Sequence, residues 1–333
     1  MLGDAISDPS TPRLLADIGG TNARFALLVD GEIRASKVLA CTEYPDFSLA
    51  VDAYLDTQAK QYSRPIEAAF AVAAPIVADH IAMTNHTWSF SVAALRARLE
   101  LRRLIVLNDF TALAMAVPHL PTRELEKIGG GQAINQRPIA LLGPGTGLGV
   151  SGLIPADSRW IPIQGEGGHV TMGASDIKEA AVLEVLRARF AHISAERVIS
   201  GPGLFLLYEA LCTVEGVAPQ VLQPARVAEL GLTNANTQCR AALEMFCAML
   251  GTVAGNLALT LGAHGGVYIG GGIVPRFGNF FAASSFRQRF EAKGRYANYL
   301  AAVPVFVIHS ALPAFIGLAR TFSDPGPRIQ AIA

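Results

Sequence analysis

Charge is scarce in this chain of 333 residues. Only 16% of it is Asp, Glu, Lys or Arg, and 27 basic residues balance 27 acidic ones. A broad nucleic-acid footprint shows as a basic excess, so no nucleic-acid partner is expected, although a local pocket for a small anion stays open. Cysteine is also sparse. Cys41, Cys212, Cys239 and Cys247 form no C-x-x-C pair and stand near no histidine pair at zinc-ligand spacing, which points to reduced thiols. The H-E-x-x-H zinc signature is missing, and without a Gly-Lys pair there is no P-loop. Long apolar runs are nearly absent. The most membrane-like stretch, Phe246 to Gly266, is rich in Ala and Gly, carries Asn256, and barely meets the ~20 residues of a spanning helix. It reads as a buried helix, with no membrane partner. Residues 1–13, "MLGDAISDPSTPR", lack the basic-then-apolar order of a signal peptide and read as a frayed leader. The Asn-His-Thr sequon at Asn85 therefore carries no expectation of glycosylation, and a cytoplasmic location is expected.

Apolar residues, by contrast, make up 51% of the chain, enough for a large core, and the length fits about two domains. Three strand-like runs, "RLLADI", "ARFALLV" and "IRASKVLA", form a hairpin meander. "PDFSLAVDAYLDTQAKQY" has helical spacing with Asp46 as N-cap. "IEAAFAVAAPI" reads as a buried strand, "SFSVAALRARLEL" as a helix, and "RRLIVLND" as a strand running into Asn108 and Asp109. Such alternation predicts α/β layers with mostly parallel sheets. The segment from Pro121 to Arg137 reads as a linker. After it the opening pattern recurs: "PIALLGPGTGLGVSGLI" is again strand, glycine-rich turn, strand, and "WIPIQ" follows. Helices are expected at "ASDIKEAAVLEVLRARF" and from about Asn234 to Leu261. One architectural unit is thus present twice, and two facing glycine turns could grip an elongated anion.

The first turn is Asp17-Ile18-Gly19-Gly20-Thr21-Asn22. Its glycines let backbone N–H groups approach phosphate oxygens, and Thr21 and Asn22 add side-chain donors. Asp17 suits a magnesium ion held through water. The alternative is a plain hairpin with an acidic shoulder. The second turn, "GPGTGLG" from Gly143 to Gly149, fails the dinucleotide pattern G-x-G-x-x-G, but Gly145, Thr146 and Gly147 suit a phosphate held by backbone amides. A third cluster, "IGGGI" with Gly271 and Gly272, ends a strand where an adenine or ribose could lie on the backbone. Asn108 and Asp109 follow an apolar strand, at the strand end where ligands of α/β sheets gather. Asp109 can take a proton from a hydroxyl, or cap the helix "FTALAMAV". "GEGGHV" supplies Glu166 and His169, a set that accepts from and donates to sugar hydroxyls or serves structure alone. Glu196 in "SAERVISGPG" is either a further polyol ligand or an exposed surface acid.

"ADIGGTNARFAL", "AMTNHTWSFS", "LNDFTALAMAVP", "GTGLGV", "GEGGHV", "SAERVISGPGL" and "GGVYIGGGIVPRF" together resemble the proteobacterial-type glucokinases, from about Leu14 to about Arg320. The resemblance implies the actin-like (ribonuclease H-like) ATPase fold of hexokinase type: two α/β domains around a central cleft. The small domain would be 1–119 plus 310–333, the large one 120–309. It implies transfer of the ATP γ-phosphoryl group to the 6-hydroxyl of D-glucose with Mg2+, the first step of glycolysis, by a cytoplasmic homodimer. Asp109 would be the catalytic base. Asn108, Asp109, Glu166, His169 and Glu196 would bind sugar. Asp17, Gly19, Gly20, Thr21, Asn22, Gly145, Thr146, Gly147, Gly271 and Gly272 would bind the nucleotide, with Asp17 toward Mg2+. Three features depart from the family pattern: Pro144 in the second turn, His264 before the third cluster, and "LPAFIG" near the tail. Other readings are a kinase for another hexose, an actin-like switch hydrolysing ATP without sugar, and a sugar-responsive regulator.

Overall fold

The computed structural model describes residues 11–84 and 86–322. Of residues 1–13, expected as a frayed leader, 1–10 lie outside the described residues, as do Asn85 of the sequon and the tail beyond 322, while Arg13 instead opens the first strand. Strands are β1 (Arg13–Ile18), β2 (Asn22–Val29), β3 (Glu32–Ala40), β4 (Glu67–Val72), β5 (His80–Ala82), β6 (Ser89–Ser91), β7 (Arg103–Asn108), β8 (Leu125–Ile128), β9 (Ile139–Pro144), β10 (Leu148–Ala156), β11 (Arg159–Ile163), β12 (Val267–Ile269) and β13 (Val305–Ile308). Helices are α1 (Phe47–Gln58), α2 (Val92–Arg98), α3 (Asp109–Ala116), α4 (Ile177–Arg187), α5 (Ala195–Val198), α6 (Gly201–Val214), α7 (Pro224–Leu232), α8 (Thr237–Leu261), α9 (Asn279–Ala283), α10 (Phe286–Glu291), α11 (Ala297–Ala301) and α12 (Pro313–Arg320).

The chain divides into two compact units. Of the described residues, the first holds 11–120, 156–162 and 311–322, and the second holds 121–155 and 163–310. The first unit is built on a sheet of order β3-β2-β1-β4-β7. β1, β2 and β3 pair antiparallel, as a hairpin meander must, while β1, β4 and β7 run parallel. The sheet is therefore evenly mixed rather than mostly parallel, because each glycine turn folds a strand straight back. All six residues of β4 are buried, as a central strand covered on both faces requires. On one face α1 packs Phe47, Val51 and Tyr54 against Phe25 and Phe70, with Trp88 only 2% exposed among them. Each such ring contributes about 1.5–3 kcal/mol by leaving water. The Asp46 side chain accepts from Leu49 N–H and starts α1, the cap read from sequence. On the other face α3 and α12 cover Leu15, Ala69 and Leu107, with Ala112, Phe315 and Leu318 between them.

The second sheet has the order β11-β10-β9-β12-β13-β8. Its first five strands repeat the first sheet's order, with β9, β12 and β13 parallel in the places of β1, β4 and β7. The extra edge strand β8 corrects the linker reading of residues 121–137. "LEKI" pairs antiparallel with β13, its amides joining the ladder despite the flanking proline and glycines. Helices α4, α6, α7, α8 and α10 enclose the core. α8 is the one helix among the described residues long and apolar enough to cross a membrane, yet 72% of its apolar window is buried inside the unit. It is a core helix, capped by Asn236 and ended by Gly262 at φ +62°. All four cysteines are buried and unpaired with one another.

Candidate functional site

In the first unit the glycine turn and the Asn108–Asp109 pair come to one sheet edge. Register pairs Ile18 with Val72 and Val72 with Asn108, so the carboxyl ends of β1, β4 and β7 align. The turn and Asp109 then stand two strand spacings apart, about 10 Å. The turn is closed by Gly19 N–H donating to the Asn22 carbonyl at 3.0 Å, and Cys41 N–H donates to the Thr21 carbonyl at 2.9 Å. The Cys41 thiol donates to the Gly19 carbonyl at 3.4 Å. Burial holds that thiol's pKa above the usual range, so it stays a neutral brace. Thr21 is exposed, and Gly19, Gly20 and Asn22 are half-buried.

Asp17 faces Arg24 across the hairpin, with Arg24 Nη1 donating to Asp17 Oδ2 at 3.2 Å. Burial pushes the Asp17 carboxyl above the ordinary carboxylate range, and the Arg24 charge and hydrogen bond pull it partly back. Arg24 did not figure in the sequence reading. Its signal was countable: in a hairpin that turns at 19–22, position 24 falls opposite 17.

Asn108 is the helix cap. Its Oδ1 accepts from Phe110 N–H at 2.9 Å and Thr111 N–H at 3.2 Å, and its Nδ2 donates to the Ala74 carbonyl at 3.3 Å. Asp109 is the first residue of α3, half-buried, its Oδ1 accepting from Phe110 N–H at 2.9 Å. The cap and the carboxylate are thus separate residues.

In the second unit four features gather at the carboxyl edge of β9 and β12. Gly145 N–H donates to the Gly147 carbonyl at 2.8 Å and closes the β9–β10 turn, leaving Thr146 exposed at its tip. The amino end of α6 meets this turn, where Gly201 N–H donates to the Gly145 carbonyl at 2.8 Å. A helix amino end favours nearby anions. The third cluster lies alongside, since Gly270 N–H donates to the Leu142 carbonyl at 2.9 Å. Gly271 has φ +79°, and a Cβ there would lie 2.4 Å from the Pro144 carbonyl oxygen, so only glycine fits. Gly272 is open to solvent.

Glu196 of α5 comes to the same place. Leu148 N–H donates to Glu196 Oε2 at 2.8 Å, and His169 Nε2 stands 3.8 Å from Glu196 Oε1. Glu166 begins the short helical turn that carries His169, whose N–H donates to the Glu166 carbonyl at 2.9 Å. Glu166 and His169 are exposed. Sequence reading grouped Glu166, His169 and Glu196 but missed the Leu148 amide, because a backbone donor leaves no mark in composition.

Among the described residues no group of three or more His, Cys, Asp or Glu could hold a metal by itself. Asp17 at the edge of the first turn is a single oxygen donor, the kind that suits an octahedral ion bound mainly by substrate phosphates and water. The departures are accommodated locally. Pro144 is buried opposite Leu148, the His264 ring lies 4.5 Å from that of Tyr299, and Pro313 of "LPAFIG" opens α12.

The family model described as Glucokinase matches residues 14–324. A glucokinase of Aromatoleum aromaticum is 50% identical over 315 residues, 94% of this chain and 95% of that protein. The crystal structure of a glucokinase from an Antarctic psychrotroph superposes with a TM-score of 0.84 at 37% identity, covering 94% of this chain and 98% of that one. The structure of Balamuthia mandrillaris glucokinase in complex with glucose gives 0.77 at 18% identity over 94% of each chain, a likeness of fold. The architecture is the actin-like, hexokinase-type fold, and the chain belongs to the glucokinase family.

Proposed function

We propose that this protein transfers the γ-phosphoryl group of ATP to the 6-hydroxyl of D-glucose, giving glucose 6-phosphate and ADP. Its 50% identity to a glucokinase along 94% of the chain supports the reaction class. The observation that carries the mechanism is the division of labour at the end of β7. Asn108 takes the cap through Phe110 and Thr111, and Asp109, which also accepts from Phe110 N–H, is the carboxylate at this strand end that serves as the base. Phosphoryl transfer asks for positioning and charge neutralisation more than covalent work. In this reading the two glycine turns hold the phosphates through backbone amides, with Thr21, Asn22 and Thr146 adding donors. Gly271 and Gly272 leave backbone open to the nucleoside. Asp17 would hold Mg2+, which when bound would supply neutralisation of phosphate charge. Asn108, Glu166, His169 and Glu196 orient the sugar so that Asp109 can accept the 6-hydroxyl proton. The working domains are 1–119 with 310–333, and 120–309. A cytoplasmic homodimer is part of the same proposal.

The test is ADP release from ATP and Mg2+ with and without glucose. Release is expected to rise at least ~100-fold with glucose, since a positioned hydroxyl replaces water as the acceptor. Sugar-independent release would instead fit an ATP-driven switch. A coupled assay across hexoses, in which glucose is expected to give the highest kcat/KM, separates the glucose reading from a kinase for mannose or fructose.

Glu166→Gln and Glu196→Gln are each expected to weaken glucose binding by about tenfold or more, the worth of a charge-assisted hydrogen bond. MgADP binding should fall less. Calorimetry on each ligand separately checks this, and equal losses for both ligands would count against the sugar assignment.

A further inference from the structure

Glu196 touches both halves of the chemistry in the second unit. Its Oε1 faces His169 of the sugar set, and its Oε2 accepts from the Leu148 amide, the residue directly after the phosphate turn Gly145–Gly147. Contact with the turn is close. A Cβ on Gly147 would lie 2.4 Å from Glu196 Oε2 and 3.1 Å from its carboxyl carbon. The turn can carry no side chain at 147 while the carboxylate keeps this seat. A Cβ on Gly145, two residues earlier in the same turn, would meet nothing within 4 Å.

We infer that the Glu196 carboxylate is a mechanical link between the sugar set and the second phosphate turn, and that Gly147 is glycine so that the link can seat. The inference rests on the proposed sugar role of Glu196. The side chain of Glu196 is 32% exposed, so one oxygen is anchored on the turn while the group still faces solvent and ligand. Sugar hydroxyls donating to Glu196 then fix the carboxylate, and through Leu148 N–H they fix the turn that holds phosphate. The reverse also holds, because coupling between two ligands is reciprocal. Gly147 is therefore a positioning residue for the sugar.

The link makes a specific cross-effect. Gly147→Ala should weaken glucose binding to nucleotide-free protein by about tenfold or more, the loss expected when one charge-assisted hydrogen bond is displaced. Gly173→Ala, at an exposed position of the same unit where a Cβ would meet nothing within 4 Å, should leave that glucose affinity unchanged. A glycine that served phosphate alone would not alter sugar affinity without nucleotide. Calorimetric titration of glucose into each variant, with circular dichroism to confirm folding, reads the effect directly. Equal glucose affinity for wild type and Gly147→Ala overturns the link. If Gly147→Ala does not fold, the link is read from its other end. Glu196→Asp, one methylene too short to reach Leu148 N–H, should weaken MgADP binding to sugar-free protein severalfold, and unchanged MgADP affinity overturns the link. Wild-type protein that neither binds nor phosphorylates glucose overturns the proposed function instead, so the two failures are distinguishable.

Discussion

Asp109→Ala is expected to lower kcat for glucose phosphorylation by about 100-fold or more, the usual range for loss of a general base being 10²–10⁴. The reason is geometric. Asp109 stands at the carboxyl edge of a parallel strand trio, where the chain leaves β7 and enters α3. A carboxylate there can receive the 6-hydroxyl proton as the oxygen attacks the γ-phosphorus. The variant should remain folded, because Asn108 caps α3 through two amides and is untouched. Asp109 also accepts from Phe110 N–H, so circular dichroism on the variant checks that the loss of this bond leaves the fold intact. Asp109→Asn sharpens the test. It keeps the size and one acceptor oxygen but cannot take a proton, so kcat should fall almost as far while the glucose KM stays within a few-fold. Stopped assays on both variants, with calorimetry for glucose, decide the matter. Near-wild-type kcat in Asp109→Asn would remove Asp109 from the base role. By contrast, Asn108→Ala loses the cap and should cost about 0.5–2 kcal/mol of stability.

Much of this edge was legible in the sequence because the signals are local. The Gly-Gly turn of residues 19–20, the Asp46 cap and the strand end at Asn108 each sit within a few residues of what they organise. The repeat of strand–glycine turn–strand at Gly145 likewise announced that one topology occurs twice. Asn108 beside Asp109 was ambiguous, since either residue can cap. Only the positions of the Phe110 and Thr111 amides resolve which does.

What was not legible depends on partners far apart in the chain. β8 has only four residues, and its place is set by β13, so "LEKI" between prolines and glycines looked like a linker. The proportion of antiparallel pairing was underestimated because helix–strand alternation dominates the count of elements. Glu196 is separated from Leu148 by 48 positions, and its partner is a backbone amide. No side-chain pattern encodes that contact. Its trace is the glycine at 147, and a glycine in a turn has several explanations until the neighbour is known.

The same limit applies to Glu179 of α4, whose partner lies 110 positions away. In the fold it is 1% exposed. Its two oxygens accept from Arg289 Nη1 at 2.8 Å and Nη2 at 3.1 Å, and Oε2 also accepts from Ser175 N–H at 2.7 Å. Arg289 donates further to Thr252 Oγ1 at 3.0 Å, so one buried pair ties α4, α8 and α10 together. Lys293 is near enough that the Arg289 charge, after burial, lowers its pKa. Removing the carboxylate leaves the Arg289 guanidinium, only 15% exposed, without its buried partner. Glu179→Ala is therefore expected to destabilise the protein by about 3–5 kcal/mol, the cost of breaking a buried pair at one end. Asp176, 54% exposed and 3.5 Å from Arg289, compensates little. Replacing both partners, Glu179→Leu with Arg289→Met, should recover most of the loss, because no uncompensated charge remains. Urea denaturation of the full chain, followed by tryptophan fluorescence and circular dichroism, measures both variants. A Glu179→Ala loss under about 1 kcal/mol, the range of an exposed pair, would mean that water reaches Arg289 and that the three helices are held by apolar packing alone.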